Sequence, residues 1–368
     1  MISSTKLLAL LVHRRLVSPD VARDALASGD PERFVVQKGV CTSTQWQEWL
    51  RTEAGTRPVL SRYELGESMG EGGVGRVFAA VDKTDGSECA LKVMKPELAG
   101  DDVQTERFVR EARLLMQLDH PHLVKGKRVA KEGDTIFFAM EKLPGRCLQD
   151  VLTDGAEDDG EDDGGGRLDE ETALRVVVEV AGALAVLHEH GLVHRDVKPG
   201  NIIFSEDRGA VLIDLGFAVA GSEAAAGETT AGTVHYIAPE QARGDGSLDV
   251  RADIYALGAT LYHLTTGSLP FEGKTSEEVL AKQVLESLSG ERIRALDLSP
   301  QLHYFLEKMM AKDKEMRFQS PEQLQREVQA FLEQRKHQRE LEARQQSRPK
   351  LGDRRRPSFE RRPRRRRR

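Results

Sequence analysis

The chain has 368 residues, 39% apolar and 31% charged, the balance of a soluble globular protein with material for a sizeable core. Its three cysteines, Cys41, Cys89 and Cys147, lie far apart, which excludes a disulfide framework or a paired-cysteine metal site and predicts a reducing, cytoplasmic setting. The net charge of −6 conceals a split, +9 from Lys350 to Arg368 and −15 over the remainder.

Taken from the start, the longest apolar run is Leu7–Val12, followed by His13-Arg14-Arg15. It is too short for a membrane span, and the charge falls where a secretion signal would carry its cleavage site, so no transmembrane segment is expected. Residues 1–56 read as a small module of two related helical units. Leu11 to Ser18 aligns with Val35 to Thr42, 24 positions on, and each unit runs into a helix, ending at Leu26 and Leu50. Ser18 and Thr42 are suitable N-caps, Gln45 completes a capping box with Thr42, and Trp46 and Trp49 give the second helix an apolar stripe. The module reads as a packing unit or as a docking platform for a partner.

After a linker at 57–62 the pattern changes. Tyr63–Leu65, Arg76–Val81 and Cys89–Val93 read as short strands around glycine-rich and Asp-Gly turns, whereas the chain past Leu168 is mostly helical. Strands first and helices later predict an α+β fold in two lobes over 63–332. A last amphipathic helix from about Pro321 is expected to dissolve into the charged stretch Gln334–Arg344, within a charged helix end and disordered Arg-rich tail at 333–368. The segment 153–167, with seven acids and no basic residue between Thr153 and Gly166, reads as a disordered acidic insert.

Three segments carry chemistry. Gly70-Glu71-Gly72-Gly73-Val74-Gly75-Arg76-Val77 has the spacing of a loop whose backbone N–H groups can approach phosphates, although it opens no helix, and an ordinary hairpin turn would look the same. Lys92 sits in the strand Ala90-Leu91-Lys92-Val93. Glu111 shares a helical face with Phe108, Leu115 and Leu118; a carboxylate pointing inward needs a cation, and Lys92 is the natural candidate. The third segment, His194-Arg195-Asp196-Val197-Lys198-Pro199-Gly200-Asn201, is followed by Asp214-Leu215-Gly216. Two carboxylates, an amide and a lysine on tight loops are what metal-assisted phosphoryl transfer requires.

The ordered set resembles the eukaryotic-type (Hanks-type) protein serine/threonine kinases, most closely their bacterial branch, and Ala238-Pro239-Glu240, Asp253 to Gly258 and Arg317 extend the likeness over about Tyr63 to Leu332. The resemblance implies a bilobal kinase fold, ATP with Mg²⁺ (or Mn²⁺), and transfer to serine or threonine hydroxyls of protein substrates. It also implies that Gly70, Glu71, Gly72, Gly73 and Gly75 cover the phosphates. Lys92 would hold the α- and β-phosphates and pair with Glu111. Val77 and Ala90 would pack on adenine, Met140 would be the gatekeeper, and Glu141 to Leu143 the hinge. Asp196 would be the catalytic base, Lys198 the contact to the γ-phosphate, and Asn201 and Asp214 the metal ligands. Glu240 would pair with Arg317, and Asp253 would brace the catalytic loop. Arg195 would grip a phosphate on the activation segment Phe217–Pro239, with Thr229 and Thr230 the best acceptors; Lys198 and Gly232-Thr233 mark the serine/threonine class.

Two positions depart from the family pattern. Leu215 replaces the usual phenylalanine while keeping an apolar plug, and Val234-His235 follows Thr233 where proline is common, which bears on peptide preference. The tail Arg354–Arg368 reads as a solvated extension, a sequence-blind contact to nucleic acid or anionic surfaces, or a self-association element. The competing functions are a pseudokinase scaffold, against which every catalytic position is filled, and a small-molecule phosphotransferase, against which Lys198, Thr233 and the long segment from Asp214 to Glu240 speak.

Overall fold

The computed structural model describes residues 4–13, 17–43, 45–46, 58–154, 166–216, 218–220, 234–245, 248–288 and 298–346. At the N-terminus three helices, α1 (Ser4–His13), α2 (Pro19–Ala27) and α3 (Pro31–Gln37), enclose a core of their own. The 24-residue repeat is visible in what they bury: Leu11 and Val35, Val17 and Cys41, and Ala22 and Trp46 are all core positions. Ser18 caps α2 through the Val21 N–H, and Thr42 and Gln45 make the reciprocal capping box, Gln45 N donating to Thr42 Oγ1 (3.2 Å) and Thr42 N to Gln45 Oε1 (2.9 Å). Trp49 and Leu50 lie outside the described residues.

The small lobe is a five-stranded antiparallel sheet in the order β1-β2-β3-β5-β4. Its strands are β1 (Tyr63–Glu71), β2 (Gly75–Asp82), β3 (Glu88–Met94), β4 (Gly126–Glu132) and β5 (Thr135–Met140). Strand β1 is longer than the three residues expected. Its pairing to β2 continues through two irregularities to Glu71↔Arg76, but residues from Glu67 on are exposed, so no buried alternation marked them. Helix α4 (Asp102–Gln117), capped by Asp101 at the Val103 and Gln104 N–H groups, covers the sheet with Phe108, Glu111, Ala112 and Leu115.

The large lobe is built on α6 (Glu170–Glu189), buried along the face from Ala173 to Leu187, and α8 (Val250–Thr266), almost wholly buried. Around them lie α5 (Leu148–Asp154), α7 (Pro239–Ala242), α9 (Ser276–Leu285), α10 (Pro300–Met309) and α11 (Pro321–Gln346). Short strands β6 (Arg146–Cys147), β7 (Leu192–Val193), β8 (Ile202–Ser205), β9 (Gly209–Leu212) and β10 (Val219–Ala220) form small sheets under the cleft.

Helix α11 corrects one expectation, since it runs unbroken through the stretch from Gln334 to Gln346. Glutamate, glutamine, lysine and arginine are good helix formers, and Gln338 donates to Glu342 one turn on (3.3 Å). Tertiary ion pairs hold the same segment: Arg335 reaches Glu170 and Arg339 reaches Glu171, both at the start of α6. High charge density there marks a solvated helical face.

Candidate active site

Lys92 sits in the middle of the sheet, paired in register with Val77 on β2 and Phe138 on β5, with 12% of its side chain exposed. An ammonium so placed requires counter-charge. Helix α4 supplies it from the face that also buries Phe108 and Leu115: Glu111 accepts from Lys92 Nζ at 2.7 and 2.9 Å. Asp214 Oδ2 lies 3.4 Å from the same nitrogen. Burial works against the charge on Lys92, yet Asp214 and Glu111 more than offset it and hold the ammonium above its usual range. Burial pushes Glu111 up to about 7, with Lys92 opposing and the negative charge of Asp214 adding to the rise. Asp214 itself is held below the usual carboxylate range: burial would raise it, but Lys92 and the Gly216 N–H, which donates to Oδ1 at 2.7 Å, prevail.

Below the cleft, the loop from His194 to Asn201 is fixed from underneath. Asp253, fully buried in the first turn of α8, accepts from the His194 N–H and the Arg195 N–H at 2.8 Å each. Those two donors let Arg195 hold φ 68°, the only positive φ of a non-glycine residue among the described ones. The loop then turns Asp196 into the cleft. Lys198 Nζ lies 2.8 Å from Asp196 Oδ2 and 3.0 Å from Oδ1. Asn201 Nδ2 donates to Asp196 O (2.8 Å) and Oδ2 (2.9 Å).

The residues present fit a hard divalent cation. Once Asn201 has spent its amide N–H groups on Asp196, its remaining donor is the amide oxygen. Asp214 keeps 35% of its side chain exposed, leaving oxygen lone pairs free beside it. An amide oxygen and a carboxylate are hard oxygen ligands and suit Mg²⁺ or Mn²⁺.

The glycine loop has two kinds of glycine. A Cβ on Gly75 would stand 2.7 Å from the Val93 carbonyl oxygen, so packing alone demands glycine there. A Cβ on Gly70 or Gly73 would meet nothing within 4 Å, and on Gly72 nothing nearer than 3.8 Å. These three border open space, as a phosphate cover must. Glu71 is committed to ion pairs with Arg76 (2.8 Å) and Lys95 (3.0 Å), so its carboxylate stiffens the hairpin. Ala90 and Met140, opposite each other in register, and half-buried Val77 and Leu143 belong to or pack on the main core cluster, an apolar surface on which a planar base could pack.

At the hinge, sequence reading missed a partner. The Glu141 carboxylate accepts two bonds from Arg208 (2.6 and 2.9 Å) and one from the Lys125 N–H (2.9 Å). Its side chain is therefore turned to the large lobe, and only its backbone remains for a nucleotide. A half-buried hinge acid implied some cation, but Arg208 lies 67 residues downstream with nothing in the sequence to single it out. Thr229, Thr230 and Thr233, residues 155–165 of the acidic insert and the Arg-rich tail lie outside the described residues, while the insert's first residues, Thr153 and Asp154, close α5; Arg195 is buried, its carbonyl accepting from Gln241 Nε2 at 3.1 Å.

A family model described as "Protein kinase domain" matches residues 63–328. A probable serine/threonine-protein kinase of Corynebacterium efficiens is 38% identical over 250 residues, covering 66% of this chain and 36% of the relative. Serine/threonine-protein kinase PknB of Mycolicibacterium smegmatis is 33% identical over 276 residues, and PknB of Mycobacterium tuberculosis 34% over 276, each match covering 73% of this chain and 42% of the relative. The chain thus spans less than half the length of these curated relatives. Among its described residues no helix is long and apolar enough to cross a membrane.

Proposed function

Because this chain belongs to the protein kinase family, in its bacterial serine/threonine branch, we propose that it transfers the γ-phosphate of ATP to serine or threonine hydroxyls of protein substrates. The observation that carries this reading is the convergence of Lys92, Glu111, Asp196, Lys198, Asn201 and Asp214, from four separate stretches of chain, on one cleft. Lys92, kept charged and held in place by Glu111, binds the α- and β-phosphates. Asp196 orients the attacking hydroxyl and takes its proton, while Lys198 offsets charge on the transferred group. Asn201 and Asp214 would hold Mg²⁺ or Mn²⁺, which supplies neutralisation of the phosphate oxygens. A cytoplasmic setting is part of the reading: Cys41 and Cys89 are buried free thiols and Cys147 a half-buried one. The N-terminal module would be a docking unit for a partner, separate from catalysis.

Incubation of the full chain with radiolabelled ATP, Mg²⁺ and a basic model protein is expected to label serine and threonine, and Asp214→Ala or Lys92→Met is expected to abolish the labelling. Undiminished incorporation by either variant would sink the reading.

The Lys92–Glu111 pair gives a pH signature. As pH falls through about 7, Glu111 takes up a proton and its grip on Lys92 slackens, so kcat/KM for ATP should decline on the acid side. Profiles of the wild type and Glu111→Gln check this: the variant should be slower throughout and lack that acid limb.

A further inference from the structure

A line of buried donors runs to the turn that follows Thr233, and nothing in the catalytic machinery uses it. Its origin is Lys312, on the turn after α10. The ammonium lies over the rings of Phe271 (4.3 Å) and Tyr255 (5.2 Å), and its hydrogen-bond partners are a hydroxyl and a carbonyl. Lys312 Nζ donates to Tyr255 Oη (2.8 Å) and to the Gln283 carbonyl (2.7 Å). Tyr255 Oη, its acceptor role taken by the ammonium, donates to Gln283 Oε1 at 2.6 Å. Gln283 Nε2 in turn donates to the main-chain carbonyls of His235 (2.7 Å) and Val234 (3.3 Å). Tyr255 and Gln283 are both 0% exposed.

The direction of this chain matters. A primary amide is nearly symmetric in shape, so packing alone cannot decide which of its ends faces the Val234 and His235 carbonyls. The Tyr255 hydroxyl decides it: with the proton pointing at Oε1, the amide N–H groups must face the main chain. A donating nitrogen at the head of the line polarises every bond after it in the same sense. Without the hydroxyl Oε1 loses its buried donor and the amide is held by the two main-chain carbonyls alone, so the turn at Val234–His235 is less firmly fixed.

We propose that Lys312, Tyr255 and Gln283 are positioning residues for protein substrate: through the Gln283 amide they set the conformation of Val234–His235, the segment flanking the activation threonines, and so govern affinity for the acceptor protein without affecting nucleotide. The inference rests on the kinase reading above. It also accounts for how this chain dispenses with the proline common after Thr233, since Val234 gains from the relay the fixed backbone that a proline ring would impose.

The test uses the full chain with Tyr255→Phe, which removes one oxygen, and Gln283→Met, which keeps the volume and removes both donors. With myelin basic protein as acceptor, each variant should raise KM for the protein about tenfold, the size of one buried hydrogen bond. KM for ATP should change less than twofold. A merely structural role would move both constants or neither. Amide hydrogen exchange supplies a readout independent of turnover: exchange across 234–238 should quicken in either variant while α6 stays protected. Unchanged protein KM, or unchanged exchange at 234–238, overturns the proposal. A wild-type chain with no phosphotransfer would instead overturn the kinase reading and leave exchange to decide this one. Should either variant fail to fold, the same comparison on Lys312→Met decides.

Discussion

Replacing Asp196 with asparagine should lower the rate of phosphoryl transfer by about 10²–10⁴, the usual share of a positioned general base. Nucleotide affinity should be nearly unchanged. The substitution keeps the shape of the side chain and its place beside Lys198 and Asn201, so what is lost is the charge that, on the proposed reading, would orient and deprotonate the acceptor hydroxyl. None of the groups expected to hold ATP is altered: Lys92 keeps both bonds to Glu111, and Asp214 keeps the Gly216 N–H. Single-turnover kinetics with a saturating acceptor, together with nucleotide binding by calorimetry, separate the two quantities. A transfer rate within threefold of the wild type would remove Asp196 from the mechanism.

The largest effect on stability should come from the buried pair Arg317–Glu240. The guanidinium is 0% exposed and forks onto both carboxylate oxygens at 2.6 and 2.8 Å. It also donates to the carbonyls of Ala311 and Arg251, and its face lies 5.0 Å from the Tyr255 ring centre. Removing one member of such a pair leaves the other charge buried and uncompensated, which costs about 3–5 kcal/mol. Glu240→Ala should therefore lower the thermal midpoint of the large lobe by roughly 10 °C, at about 2–4 °C per kcal/mol. Arg317→Lys should fall between that variant and wild type, since an ammonium keeps the charge and loses the fork. Differential scanning calorimetry checks both; a midpoint within about 3 °C of wild type for Glu240→Ala would mean that the pair is dispensable.

The parts of this architecture legible in the sequence are those whose chemistry is compressed into short stretches. His194 to Asn201 and Asp214 to Gly216 declared themselves because two carboxylates, an amide and a lysine have few other reasons to share a tight loop. Glu111 was found from helical spacing, since an acid on the Phe108–Leu115 face has to be paired. The capping box at Thr42 and Gln45 and the 24-residue repeat were equally local, and the repeat reappears as paired core positions. What escaped depends on partners far along the chain. Arg208 reaches Glu141 across 67 residues, and Gln283 reaches His235 across 48. The extension of β1 escaped because only its pairing with β2, with no buried face, makes it a strand. The continuation of α11 was misjudged because charge was weighed as an obstacle to folding, when Glu170 and Glu171 stood ready to receive it.

That same helix redraws the limit of the folded unit. The family match stops at residue 328, but α11 continues eighteen residues further, to Gln346, and clasps the head of α6 there. An expression boundary set by homology would sever the clasp and leave two acidic side chains at the root of the central helix without their counter-ions. The folded body of this chain is larger than its kinship defines, and its outermost turns are fastened by electrostatics.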